Sequence, residues 1–163
     1  MKTLDELMSE AVRDLQRVAE LAGAEIARDE IKIEIMAKPH EAPKSLPVGH
    51  AAVYAFFLNG QALKVGVAGP KTAARYMSQH YHPRSSQSNL AKSILINPSK
   101  VNCETPTDQA VGDWIKKCTD RVNILLPAKT NPLVLKLIES FLHVRWNPIF
   151  EGRLESGQAI LTA

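Results

Sequence analysis

The chain has 163 residues, 45% of them apolar, with a net charge of +3, which suits one domain with a modest extension and a substantial core. No run approaches the ~18 consecutive apolar residues of a membrane span, and the opening residues alternate in charge where a secretory leader would be basic then apolar, so a cytoplasmic protein with no membrane association is expected. Cys103 and Cys118 stand apart with no Cys-x-x-Cys and no close histidine spacing, which indicates neither a zinc site nor a disulfide framework.

Residues 3–28 read as an amphipathic helix, with Leu4, Met8, Ala11, Leu15, Val18 and Ala22 along one stripe. The stripe can dock on its own domain or, over three heptads, make a homodimer. Glu30 to Met36 alternates as a half-exposed strand does. Pro39, Pro43 and Pro47 then mark a boundary, separating a helix-strand extension (1–45) from a main domain (46–152) and a C-terminal tail (153–163).

Two short apolar runs, Ala51 to Leu58 and Ala62 to Val67, flank Asn59-Gly60, a strong type I′ hairpin signal. The hairpin brings Tyr54 and Lys64 near each other across the ladder. By itself the pair could be a half-buried strand tyrosine and an edge lysine that discourages aggregation. Gly69-Pro70 opens a helix over 71–79 that presents Lys71 and Arg75 at i, i+4. A polar loop from His80 to Ser88 follows, and then a short helix over 89–96. Thr107 reads as the N-cap of a helix running through Cys118, with Ala110, Val111, Trp114 and Ile115 facing inward. Val122 to Leu126 reads as a central strand closed by Pro127. Asn131-Pro132 caps a last helix over 133–144, where Lys136, Glu139, Ser140 and His143 form a polar stripe. The order describes an α+β fold, a small central three-stranded antiparallel sheet flanked by helices.

Charge is unevenly placed. Between Ala42 and Cys103 there is no Asp or Glu, while Lys44, Lys64, Lys71, Arg75, Arg84, Lys92 and Lys100 are all basic. Such a segment suits a polyanion, although it could also be a solvated basic face. Lys71, His82, Arg84, Ser86, Ser88 and Lys92 are the candidate nucleic-acid contacts. Familiar hydrolase templates are missing: there is no phosphate loop, no nucleophile elbow and no His-Glu-x-x-His. By pattern alone, Glu139 could be a surface glutamate paired with Lys136 or His143.

Taken together, Ala52-Val53-Tyr54, then Lys64-Val65-Gly66, Arg75, Glu139 and Asn147 resemble the GIY-YIG nuclease pattern over about residues 48–152. Ala-Val-Tyr stands where the family has Gly-Ile-Tyr. Lys64 replaces the second motif tyrosine, as in restriction-endonuclease-like branches of the family. The resemblance implies a DNA endonuclease with Mg²⁺ (or Mn²⁺) held by Glu139, and Tyr54 as general base with its phenol pKa lowered by cations such as Lys64. It further implies Arg75 on the scissile phosphate, His80 on the attacking water or a phosphate, and Asn147 orienting groups near Glu139, unless Asn147 merely stops the helix. The competing expectations are a nucleic-acid-binding module of the same fold that does not cut, and a dimeric interaction protein.

Overall fold

The computed structural model describes residues 2–104 and 107–151, so the expected tail, 153–163, lies outside the described residues. Thr3 opens the first helix, α1 (Leu4–Leu21), with a capping box: its hydroxyl accepts from the Glu6 N–H at 3.2 Å, and the Glu6 carboxylate accepts from the Thr3 N–H at 2.7 Å. The helix ends at Leu21, short of residue 28, because Gly23 turns the chain at φ 74°. A 3-10 turn (Arg28–Glu30) leads into β1 (Lys32–Met36).

Strand β2 (His50–Leu58) returns as β3 (Gln61–Ala68) through Asn59 and Gly60, at φ 49° and 83°, the left-handed pair that a type I′ turn needs. Past Pro70, a single helix over 71–79 does not form. The segment divides into a 3-10 turn (Pro70–Thr72), a short α2 (Ala73–Met77) and another 3-10 turn (Gln79–Tyr81). Asn89 caps α3 (Leu90–Ile96), its side chain accepting from the Lys92 N–H at 2.8 Å. A further helix, α4 (Val111–Cys118), starts later than expected. Thr107 Oγ1 accepts from the Ala110 N–H, but that contact belongs to the turn before the helix, and Ala110 is exposed. Strand β4 (Asp120–Pro127) and helix α5 (Pro132–Trp146) complete the order, with the Asn131 side chain capping α5.

All pairings are antiparallel, in the order β1-β4-β2-β3. The sheet therefore has four strands. The expected three gain β1, which runs along the outer edge of β4 and covers backbone groups that would otherwise stand unpaired. One strand of the expected extension, β1, thus belongs to the same sheet as the main domain's strands.

Alternation along the strands divides the core between two faces. Val53, Ala55, Phe57, Val122 and Ile124 face α1 and α5. Ala52, Tyr54, Phe56 and Leu125 face α3, α4 and the turns around Tyr76 and Tyr81. The α1 stripe is used up in this packing: Met8, Ala11, Leu15 and Ala19 are at most 1% exposed. Dimerisation through residues 3–28 is therefore unsupported, since the residues that would form the seam already cover the sheet.

Candidate active site

The site begins on β2. In the β2–β3 register Tyr54 lies opposite Gly66 and Phe56 opposite Lys64, so Tyr54 and Lys64 are diagonal neighbours on one face. A bulge at Phe56/Phe57 turns both Leu63 and Lys64 toward that face. Gly66 explains where the tyrosine ring lies. A Cβ there would sit 2.6 Å from Tyr54 Oη and 2.7 Å from Cζ, so the ring occupies the space of the absent side chain.

Tyr54 Oη is 2.7 Å from His80 Nε2, and the His80 Nδ1 accepts from the Leu90 N–H at 3.2 Å. A ring nitrogen that accepts from a backbone amide carries no proton, so Nε2–H is the donor and Tyr54 Oη the acceptor. Burial, reinforced by the charges of Lys64, Arg121 and Arg75, lowers the His80 pKa to about 3 and keeps the imidazole neutral.

The Tyr54 phenol departs from expectation. Burial raises its pKa well above the usual range, and burial outweighs the opposing charges of Arg121 and Arg75. The cations that act most strongly on the phenol are Arg121 and Arg75 in place of the expected Lys64. The Lys64 Nζ is paired with Glu151 and lies 3.3 Å from Ser88 Oγ. Glu151 in turn accepts from His143 Nε2. The chain after α5 positions this acid: the Ile149 and Phe150 N–H groups donate to the Ala62 and Leu63 carbonyls, both at 3.0 Å, and so carry Glu151 round the outer edge of β3.

Arg75 is exposed on α2, and among the described residues it makes no ion pair. Its charge nevertheless reaches both Tyr54 and His80. Glu139, on α5, is 12% exposed, and its Oε2 accepts from Lys136 at 2.7 Å. Its charge also acts on the Tyr54 phenol. Tyr54, Lys64 and His80 are thus buried together on one side of the sheet, and the charges of Arg75 and Glu139, from other layers, reach the Tyr54 phenol. Among the described residues the exposed Asn147 makes no side-chain hydrogen bond to them. It ends α5 in the left-handed region, φ 42°, with its carbonyl 3.5 Å from Gln61 Nε2.

The candidate nucleic-acid contacts flank the same face. Lys71, His82, Ser88 and Lys92 are exposed, and Ser86 is half-buried. Arg84 is exposed but pairs with Asp108 at 2.8 Å. Acids from outside the acid-free segment thus reach two of its basic residues, Lys64 and Arg84.

Two residues of the site escaped the sequence reading. Glu151 falls past the last helix, where nothing in the pattern marks it. Arg121, at the start of the β4 run, is fully buried beneath Tyr54. A charged residue adjoining a continuous apolar strand was the available signal.

Among the described residues, no group of three or more His, Cys, Asp and Glu is placed to hold a metal ion. Glu139 would serve as a lone carboxylate, a donor set that suits a hard cation retaining most of its water shell. No described helix is long and apolar enough to cross a membrane. Comparison with protein-family models, curated proteins and solved structures finds no match to this chain.

Proposed function

We propose that the protein is a Mg²⁺- or Mn²⁺-dependent DNA endonuclease of GIY-YIG type. The observation that supports the reading is the Tyr54–His80 hydrogen bond of 2.7 Å, made on one face of the sheet and within reach of the charges of Arg75 from α2 and Glu139 from α5. Phosphodiester hydrolysis needs an oriented water, neutralisation of charge on the transferring phosphate, and help for the leaving 3′ oxygen.

In this reading His80 holds Tyr54 as an acceptor by donating its Nε2–H, which fixes the oxygen that would receive a proton from water. Arg75, unpaired among the described residues, offers its planar fork to the scissile phosphate. Lys64 exchanges Glu151 for a phosphate oxygen. Glu139 would hold the divalent cation, which when bound supplies Lewis-acid stabilisation of the leaving oxygen and transferring phosphate. Because burial favours the neutral phenol, Tyr54 acts as a base only after releasing its own proton to solvent, a loss that the flanking cations Arg121 and Arg75 favour and burial opposes. Lys71, His82, Ser86, Ser88 and Lys92, with Arg84, guide the duplex across the face.

Folded Tyr54→Phe and Glu139→Ala proteins are expected to lose nearly all Mg²⁺-dependent cutting of plasmid DNA. Cutting at the wild-type rate by either would remove the proposed mechanism. The raised phenol pKa and the Lys64–Glu151 pair favour one other reading, a nucleic-acid-binding module that does not cut. It predicts salt-dependent retention of DNA on a filter with no metal-dependent product.

A further inference from the structure

Arg121 is 0% exposed, yet among the described residues no carboxylate pairs with it. A buried charge normally requires a partner. Three aromatic faces take that place: its Cζ lies 5.1 Å from the ring centre of Tyr54, 5.2 Å from Phe56 and 4.7 Å from Tyr76. Three neutral acceptors complete the shell, with Nε donating to Asn123 Oδ1 at 3.0 Å, Nη1 to Tyr81 Oη at 3.1 Å and Nη2 to the Tyr76 carbonyl at 2.6 Å. Behind it the chain of donors is closed. Tyr81 Oη lies 2.9 Å from His40 Nε2, and His40 Nδ1 lies 2.9 Å from the Thr119 carbonyl. One carboxylate stands just beyond this shell: Glu34 Oε2 accepts from Asn123 Nδ2 at 3.5 Å and its charge also acts on Tyr76, but it does not pair with the guanidinium, which stays fixed under the tyrosine.

We propose that Arg121 is a positioning residue for the Tyr54–His80 pair, an internal cation whose unpaired charge favours the phenolate and whose fork anchors the rings that hold it. The proposal deepens the nuclease reading and rests on it for catalytic meaning, but its electrostatic content stands on the geometry alone. The other charges facing Tyr54 are Arg75 from α2, and Glu139 and Glu151 from α5 and the segment after it; His80 is neutral and Lys64 is paired with Glu151. Of these groups Arg121 is the one in contact with the ring and wholly shielded from water, so its effect on the phenol is screened least.

The test replaces Tyr54 with a fluorinated tyrosine whose phenol ionises several units lower, and follows its fluorine resonance against pH without DNA or metal. Arg121→Met is expected to raise the midpoint by about 1 pH unit or more. Arg121→Lys, which keeps the charge, should return most of that shift, an outcome that a purely structural role would not give. Should the methionine protein fail to fold, Arg121→Gln carries the same expectation, since it keeps a donor while losing the charge. A folded, uncharged variant whose midpoint does not move would overturn the inference and leave the nuclease reading untouched. A shifted midpoint in a protein that never cuts DNA would uphold the inference and remove the nuclease reading.

Discussion

Gly66→Ala is a small change with a calculable consequence. The new methyl carbon would stand 2.6 Å from Tyr54 Oη, 2.7 Å from Cζ and 2.9 Å from Cε2, so the ring must retreat by roughly 0.8 Å to reach the 3.4 Å of ordinary contact. It has little room to do so. Tyr54 is 2% exposed, its ring stands edge-on to those of Phe56 and Tyr76, and the guanidinium of Arg121 lies beneath it. Overpacking of this kind costs about 1–3 kcal/mol. Stretching the 2.7 Å bond to His80 past the useful limit of ~3.2 Å adds about 1 kcal/mol. The expected total is about 2–4 kcal/mol, read as a lower urea midpoint at unchanged slope. Displacing the base by that distance should also slow DNA cutting by about 100-fold. Gly69→Ala is the control, since nothing lies within 4 Å of its Cβ position and it should be nearly neutral. If Gly66→Ala matches that control in both stability and rate, the account of how Tyr54 is positioned is mistaken.

Other consequences are equally open to measurement. His80 is held neutral, with its pKa lowered from 6.5 to about 3, so the folded state binds fewer protons than the unfolded one over that interval. Stability should be unaffected by this group above about pH 6.5 and decline as the pH falls toward 3, by at most about 5 kcal/mol; urea titrations of wild type and His80→Gln should converge at low pH, and parallel curves would contradict the assignment. Leu15→Asp places a charge where the side chain is 0% exposed, so circular dichroism should report unfolding or a loss of at least about 3 kcal/mol. A folded protein that merely changes from dimer to monomer on a sizing column would restore the coiled-coil reading. Lys71→Ala and Lys92→Ala, at exposed positions, should each reduce the salt slope of DNA binding by about 1, and an unchanged slope would place the duplex elsewhere.

Local chemistry made much of this molecule legible. Asn59-Gly60 announced the hairpin because few residue pairs accept two positive φ values in succession. The run from Val122 to Leu126 announced a strand covered on both faces, and the central position of β4 follows from it. The pairing of β1 with β4 was not readable, since alternation identifies a half-exposed strand without naming its neighbour. The resemblance proposes Tyr54, Lys64, Arg75, His80 and Glu139 as a set, but says nothing of their electrostatic balance. Lys64 would support a phenolate if it were free, yet Glu151 reaches it only because the chain after α5 runs beside β3. Arg121 depends still more on tertiary structure. Its partners are brought together by the β2–β4 register, which places Tyr54 beside Asn123, and by α2 and the 3-10 turn after it, which supply Tyr76 and Tyr81.

The central claim is the proposed hydrolysis of DNA by Tyr54 with a divalent cation held by Glu139. Its most direct test is a time course of supercoiled plasmid with purified wild-type, Tyr54→Phe and Glu139→Ala proteins in Mg²⁺, each shown to be folded. The account predicts nicked or linear product from the wild type alone, abolished by chelation of the metal. Intact plasmid in every lane, alongside retained DNA binding, would contradict catalysis, and equal cutting by all three proteins would contradict the site.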